Sequence, residues 1–185
     1  MTQSTDTLDG SDTNRPANRL ATVLSAKQPL NALGALICAG LIAYALYAQY
    51  GLALDPCPLC VFQRIAVILL GIVFLAAALH GPTGRLGGRV YAGLLALVTA
   101  GGVAVAGRHV WLQSLPPEAL PACGPGLGYI LDTFPLGEAL AKVFSGSGEC
   151  AEIDWQFLGL SMPVWVLIAV LVTGGLGIWN NLRRN

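Results

Sequence analysis

Residues 55–64 read DPCPLCVFQR and join two long apolar runs of the chain. Within this segment, Cys57 and Cys60 form a Cys-x-x-Cys pair, which can close a small, strained disulfide ring that is easily reduced and re-formed. Arg64 follows Cys60 by one helical turn, so the guanidinium can share a helix face with that thiol. A cation there favours the thiolate over the thiol. The segment therefore predicts a redox-active turn.

The composition indicates a membrane protein. The 185 residues are 55% hydrophobic and only 11% charged, and the mean hydropathy is +0.65. This is more apolar than a soluble globule of this size usually is. The formal net charge is zero and no basic block occurs, so the sequence excludes nucleic acid from the expected partners.

Four apolar runs have the length of a transmembrane helix, at about 32–50, 62–79, 90–110 and 163–179. A hydrocarbon core of about 30 Å needs about 20 helical residues, and backbone groups in lipid must be hydrogen-bonded internally. We therefore predict an all-α membrane protein, a four-helix transmembrane bundle in the domain 29–180. A short loop at 51–61 and a long loop at 111–162 connect the helices on one side of the membrane.

The remaining segments are predicted to be tails. Residues 1–28 are polar and are expected to be disordered, and residues 181–185 form a short second tail. Small residues are expected where helices pack closely in lipid. The candidates are Ala35, Ala39 and Ala43 in the first run, Gly101-Gly102 in the third and Gly174-Gly175 in the fourth.

The basic residues outside the runs predict the orientation. Seven of them fall on one side of the membrane, which should be the cytoplasm: Arg15, Arg19, Lys27, Arg85, Arg89, Arg183 and Arg184. The opposite loops contain Lys142 and several acids. Both termini are then cytoplasmic, and four cysteines face outward, where disulfides persist: Cys57, Cys60, Cys123 and Cys150.

Several polar residues lie at the outer ends of the predicted helices. An ionisable group inside a span is a functional candidate, and the registry of Arg64 with Cys60 favours function there. Arg108 is interpreted as a snorkelling side chain. His109 and Gln113 lie one turn apart, and a neutral imidazole or an amide can donate to a quinone carbonyl. Spacing alone, however, favours an ordinary interfacial histidine at position 109.

The other cysteines permit more than one interpretation. Cys123 and Cys150 lie in the long outer loop, beside a Gly-Ser-Gly segment at 146–148 that suits either a thiol that must move or a plain linker. Cys38 lies inside the first run and is interpreted as a small buried hydrophobe.

Two outward cysteine pairs on a membrane bundle suggest a relay. One pair would exchange disulfides with a soluble protein, and the other would pass electrons to a lipid-soluble quinone, since no flavin, haem or dinucleotide motif occurs. Two alternatives remain open. Four cysteines can bind zinc, although the spacing is poor for it, and two structural disulfides would include one that closes too small a loop to stabilise much.

Three blocks of the sequence resemble the bacterial disulfide bond formation protein B family, DsbB. They are CPLC at 57–60 with Arg64, HVWLQ at 109–113, and GECAE at 148–152 leading to WQFLGLSMPVW at 155–165. The resemblance covers about residues 30–180. A vitamin K epoxide reductase-like quinone oxidoreductase is the main rival, but there the Cys-x-x-Cys typically lies late in the chain. A structural or metal-binding membrane protein is the non-enzyme alternative.

The resemblance implies a protein-dithiol:quinone oxidoreductase of the bacterial inner membrane. Such a protein reoxidises the periplasmic thioredoxin-fold oxidase DsbA and reduces ubiquinone or menaquinone. Carried over by position, Cys57 and Cys60 are the quinone-coupled pair, with Cys60 meeting the quinone. Cys123 forms the mixed disulfide with DsbA, and Cys150 is its partner. Quinone-binding candidates are Arg64, His109 and Gln113, and no metal is expected.

Overall fold

The computed structural model of the protein describes residues 27–82, 84–116, 127–145, 150–151, 153 and 155–183. In chain order the elements are α1 (Lys27–Gly51), α2 (Pro58–His80), α3 (Arg85–Gln113), α4 (Leu127–Thr133), α5 (Leu136–Ser145), β1 (Gln156–Phe157), β2 (Leu160–Ser161) and α6 (Met162–Leu182). Helices α1, α2, α3 and α6 are long and apolar enough to cross a membrane. The predicted all-α fold with four spanning helices is confirmed.

The four long helices extend beyond the predicted apolar runs at both ends. Hydropathy marks only the part that matches hydrocarbon, whereas backbone hydrogen bonds continue until a cap ends them. Helix α1 begins at Lys27, within the tail predicted at 1–28, and residues 1–26 lie outside the described part. Likewise α6 continues through Leu182 into the tail predicted at 181–185, of which residues 184–185 are not described.

Local sequence signals fix the ends of α2. Cys57 is the N-cap residue, and its sulfur accepts a hydrogen bond from the backbone N–H of Cys60 at 3.3 Å. Pro58 occupies the first turn, where its missing N–H would have had no helical partner. At the other end Gly81 adopts a left-handed conformation, with φ of 51°, and its N–H donates to the carbonyl of Ala77. Cys57 and Cys60 are thus attached to a helix start that is defined by its own sequence.

The core of the bundle is built around Phe74, which is 1% exposed. Its ring lies against Gly34 of α1 and Gly177 of α6. A Cβ atom at Gly34 would come within 2.8 Å of the ring, and one at Gly177 would come closer still, nearer than side chains tolerate. Both glycines are needed because only a bare backbone leaves room for an aromatic ring between three helices.

The predicted small-residue contacts are partly confirmed. Added Cβ atoms at Gly102 and Gly174 would meet Val170 and Thr99, so α3 and α6 approach closely there. The stripe predicted on α1 is wrong, because Ala39 and Ala43 are exposed. The face of α1 that packs inward instead contains Asn31, Gly34, Cys38 and Ala48, all buried.

The outer segments between α3 and α6 contain short elements. Helix α5 packs against α2, and Arg108 of α3 donates hydrogen bonds to the carbonyls of Phe144 and Ser145, at 3.1 Å and 3.3 Å, at the end of α5. Its guanidinium also lies 4.2 Å from the ring centroid of Trp111. Arg108 therefore binds the C-terminal carbonyls of a helix, a more specific role than the predicted snorkelling. Strands β1 and β2 form an antiparallel hairpin just before α6.

Candidate functional site

Cys57 and Cys60 form a close pair at the start of α2. Their sulfur atoms are 2.9 Å apart, with the Cys57 thiol as hydrogen-bond donor. Cys57 is buried, whereas Cys60 is half-buried and faces a cavity. Both residues line this cavity, and Cys60 is the more exposed of the two.

Cys150 joins this pair from a distant part of the chain. The sulfur atoms of Cys57 and Cys150 and a ring nitrogen of His109 all lie within 4.8 Å of one another. Cys150 is fully buried. Hydrogen bonds to Cys150 and Cys60, and then burial, raise the pKa of the Cys57 thiol far above its ordinary value. Three of the four predicted redox cysteines thus meet in one cluster, and Cys123 lies outside the described residues.

His109 is the centre of the polar contacts in this cluster. It is 2% exposed, so the expectation of an ordinary interfacial histidine is wrong. Its Nε2 is 3.0 Å from the carbonyl oxygen of Cys150 and 3.8 Å from the sulfur of Cys57. Its Nδ1 is 2.8 Å from the amide nitrogen of Gln63. The ring therefore bridges α2, α3 and the segment that contains Cys150.

Arg64 lies on the same helix as the cysteine pair but reaches towards α1. Its guanidinium donates hydrogen bonds to the side-chain oxygen of Gln49 and, at 3.1 Å, to the carbonyl of Ala45. These contacts hold the cation at the wall of the cavity that Cys60 also lines. A cation fixed at an apolar wall is suited to bind a carbonyl oxygen.

Gln113 reaches the cavity from the end of α3. The hydroxyl of Ser161 donates to its side-chain oxygen at 2.6 Å, which orients the amide. With the oxygen so occupied, the NH₂ group is the part of this side chain that can donate to a ligand. Both Gln113 and His109 line the cavity.

The cavity itself has a volume of about 590 Å³, within the usual range for sites of small organic molecules. Its walls are mostly aliphatic, and the aromatic side chains of Tyr44, Trp155 and Trp165 lie along it. At one end the polar groups converge: Cys57, Cys60, Arg64, His109 and Gln113. An apolar volume with a thiol and three hydrogen-bond donors at one end can hold a planar, lipid-soluble carbonyl compound.

Sequence reasoning missed Gln63 and Gln49. Gln63 is only 4% exposed, and both residues are polar side chains within helices otherwise rich in apolar residues. A polar residue inside a spanning helix is itself a signal for function, and it could have found both. Cys38, by contrast, is 2% exposed in the middle of the bundle, as predicted.

Comparison with known proteins places the chain. The family model described as "Disulfide bond formation protein DsbB" matches residues 27–180. The chain belongs to the DsbB family. Membership makes it an oxidoreductase of disulfide bond formation and a multi-pass inner-membrane protein, and it decides against the vitamin K epoxide reductase alternative.

The alignments with individual relatives cover most of each relative's length. "Disulfide bond formation protein B" of Methylococcus capsulatus is 54% identical over 154 residues, which are 82% of this chain and 93% of the relative. The protein of that name from Chromohalobacter salexigens is 55% identical over 148 residues, 79% of this chain and 86% of the relative. The one from Xanthomonas campestris is 49% identical over 148 residues, which are 80% of this chain and 84% of the relative.

Proposed function

We propose that the protein reoxidises a DsbA-like periplasmic dithiol oxidase and passes the electrons to membrane quinone. The observation that carries this proposal is the meeting of Cys57, Cys60 and Cys150 at the polar end of an apolar cavity. Thiol–disulfide exchange needs sulfur atoms that can approach each other, and quinone reduction needs one thiol that is accessible from lipid. The proximity of Cys57 to Cys150, and the position of Cys60 at the wall of the cavity, support these two requirements.

Four thiol–disulfide exchange steps would carry two electrons from DsbA to the Cys57/Cys60 pair. A DsbA thiolate attacks Cys123, which breaks the Cys123–Cys150 disulfide and releases Cys150 as a thiolate. Cys150 attacks the neighbouring Cys57, breaks the Cys57–Cys60 disulfide and releases Cys60. The second DsbA thiol then completes the DsbA disulfide and frees Cys123, which re-forms its bond to Cys150 and frees Cys57. The net result is oxidised DsbA and a reduced Cys57/Cys60 pair.

The final acceptor takes two electrons and two protons from this pair and becomes a quinol. We assign its head group to the polar end of the cavity, where Cys60, Arg64, His109 and Gln113 converge. The Arg64 guanidinium and the Gln113 amide are suited to donate hydrogen bonds to carbonyl oxygens, and His109 lies beside them with both ring nitrogens paired within the protein. The aliphatic walls are suited to a ring and an isoprenoid tail, because lipid-soluble groups gain free energy by leaving water.

The reduction potential of DsbA limits what kind of disulfide can oxidise it. DsbA is strongly oxidising, at about −120 mV in the established DsbA–DsbB–quinone system, whereas structural disulfides lie below about −300 mV. The difference of about 180 mV corresponds to about 8 kcal/mol for two electrons. An ordinary structural disulfide could not oxidise DsbA, so the pairs here must be unusually reducible or be drawn forward by quinone.

The decisive experiment is quinone-dependent oxidation of reduced DsbA by the purified protein in detergent. The parent should turn over, and Cys57→Ser and Cys123→Ser should each abolish turnover. Cys38→Ala is the matched control, because Cys38 is buried in the bundle core and should leave the rate unchanged. Quinone reduction with small dithiols but none with DsbA would rule out DsbA as the partner and keep the quinone step.

The same cluster offers a competing metal site. Cys57, His109 and Cys150 are ligand types that bind zinc, and their donor atoms are close together. Metal analysis of the purified protein separates the two functions. Stoichiometric zinc together with no redox turnover would replace the oxidoreductase proposal, whereas turnover without zinc supports it.

A further inference from the structure

Gln63 occupies a position that the exchange chemistry above does not use. Its side chain is almost fully buried, yet a glutamine inside a spanning helix must bury an amide with two donors and an acceptor. Burying such a group is unfavourable unless it is hydrogen-bonded. The partner is His109, on a different helix, at 2.8 Å. The question is what this contact does to the imidazole.

The neighbours of His109 determine where its proton lies. A backbone carbonyl can only accept, so the 3.0 Å contact between His109 Nε2 and the Cys150 oxygen requires a hydrogen on Nε2. In the neutral ring Nδ1 is then an acceptor, and the amide N–H of Gln63 donates to it. If the ring is doubly protonated, the Gln63 amide can turn over so that its oxygen accepts from Nδ1. In both states the Cys150 carbonyl requires the hydrogen on Nε2, and Gln63 supplies the matching partner at Nδ1.

The hydrogen on Nε2, which the Cys150 carbonyl accepts, lies beside the reacting sulfur atoms. Nε2 lies 3.8 Å from the sulfur of Cys57. Each exchange step leaves negative charge on a departing sulfur, and Cys57 is the sulfur that departs when Cys123 re-forms its bond to Cys150. A fixed N–H beside that sulfur stabilises the charge as it develops, in a site from which water is largely excluded.

We propose that Gln63 is a positioning residue, which together with the Cys150 carbonyl holds His109 as the Nε2–H tautomer and keeps this N–H beside the sulfur of Cys57. The inference rests on the proposed function, because it gives His109 its task in that relay. Gln63 also lines the cavity, but its side-chain hydrogen bond is to the imidazole, through which it would act on the sulfur atoms. Its loss should slow the exchange without changing the binding of DsbA.

The first test compares Gln63→Leu with Gln63→Glu. Leucine has a similar size but cannot bond to Nδ1, and it should lower kcat about tenfold with an unchanged KM for reduced DsbA. Glutamate accepts from Nδ1–H and so stabilises the doubly protonated ring, which also has a hydrogen on Nε2, and this variant should stay within about threefold of the parent. Equal kcat for Gln63→Leu and the parent, or equal loss in both variants, would overturn the proposal.

A double-mutant cycle separates positioning from a general structural effect. In a His109→Ala background, Gln63→Leu should change kcat less than twofold, because the group through which it acts is gone. The same fold-loss of kcat from Gln63→Leu in the parent and in the His109→Ala background would refute the inference. Thr99→Val is the matched control, a buried polar side chain on α3 about 15 Å from His109 along the helix. It should leave kcat at the parent value in both backgrounds.

Nitrogen NMR of the imidazole gives a readout that does not need activity. The chain has only two histidines, so the His109→Ala spectrum assigns the signals. The parent should show a protonated Nε2 in the neutral ring, and Gln63→Leu should show a mixture of tautomers. An unchanged tautomer in Gln63→Leu would refute the inference about Gln63. Failure of the parent protein to oxidise DsbA is a separate outcome, and it would count against the proposed function.

Discussion

At the scale of single residues, Cys57 combines a structural and a chemical role. Its sulfur caps α2 by accepting from the backbone of Cys60, and the same sulfur lies among Cys60, Cys150 and His109. Burial and the two neighbouring thiols keep it protonated when the site is reduced, since they raise its pKa. Cys60, half-buried at the cavity, is the more reachable sulfur of the pair.

This difference predicts the order of alkylation. In the fully reduced protein, iodoacetamide should modify Cys60 before Cys57, because only the thiolate reacts and a raised pKa keeps the thiolate fraction of Cys57 small. Raising the pH from about 7 to about 9 should leave Cys57 slow, since its pKa lies above that range. Fragment mass spectrometry of the peptide that contains both cysteines measures the order. Earlier labelling of Cys57 would contradict the assignment.

Arg64 predicts a defect specific to quinone. Arg64→Leu removes a cation from the cavity wall and should lower kcat/KM for quinone by about 10- to 100-fold, the usual cost of a hydrogen bond to a charged group. Both disulfides should still form, because Arg64 contacts α1 rather than the sulfur atoms. Arg108→Leu is the control, since Arg108 binds the end of α5, and its quinone KM should be unchanged. Normal quinone kinetics in Arg64→Leu would remove Arg64 from the site.

At the scale of elements, α2 carries the site and is held from both sides. Its Phe74 ring fills the space left by glycines on α1 and α6, while its outer end presents Cys60, Gln63 and Arg64 on adjoining faces. Cys60 faces the cavity, Gln63 contacts His109 on α3, and Arg64 donates hydrogen bonds to α1. The rotation of α2 about its axis therefore decides the geometry of the site.

A pair of glycines on α6 tests this packing. Gly177→Ala places a methyl group against Phe74 and should lower the free energy of unfolding by about 1–3 kcal/mol, the usual cost of overpacking. Gly175→Ala has open space around it and should be neutral. Thermal denaturation in detergent measures both variants. Equal melting temperatures would mean that α6 can shift to admit the methyl group.

At the scale of the whole molecule, the two ends of the bundle differ in chemistry. One end contains the cysteine cluster, and the other contains a buried amide cluster in which Asn31 and Asn181 exchange hydrogen bonds at 2.9 Å and 3.3 Å. Asn180 donates to the carbonyl of Lys27 in the same place, so the first and last spanning helices are tied together there. We propose that this amide end is cytoplasmic and the cysteine end periplasmic, in accord with the distribution of basic residues.

Labelling from outside the cell tests that orientation. In a cysteine-free background, Tyr129→Cys on α4 and Leu86→Cys at the start of α3 are matched probes, since the native side chains are 59% and 76% exposed. A membrane-impermeant maleimide should label the first in spheroplasts and the second only after the inner membrane is opened. The opposite pattern would invert the proposed topology.

The sequence by itself determined a large part of this protein. Four apolar runs predicted four spanning helices, because lipid leaves no other way to satisfy the backbone. The Cys-x-x-Cys turn, the HVWLQ block and the cysteine-bearing loop predicted the family, which the comparisons confirm. The predicted contacts of Gly102 and Gly174 were also right, since glycine is the residue that lets helices approach in a membrane.

Only the tertiary structure decided which faces of the helices meet. Lipid-facing and core-facing side chains are both apolar, so hydropathy does not reveal how a spanning helix is rotated, and the stripe through Ala39 and Ala43 was placed on the wrong face. For the same reason the contact of Gln63 with His109, and the approach of Cys150 to Cys57, could not be read from spacing. Helix formation is local and is encoded in the sequence of each segment, whereas the site depends on contacts between segments that are far apart in the chain.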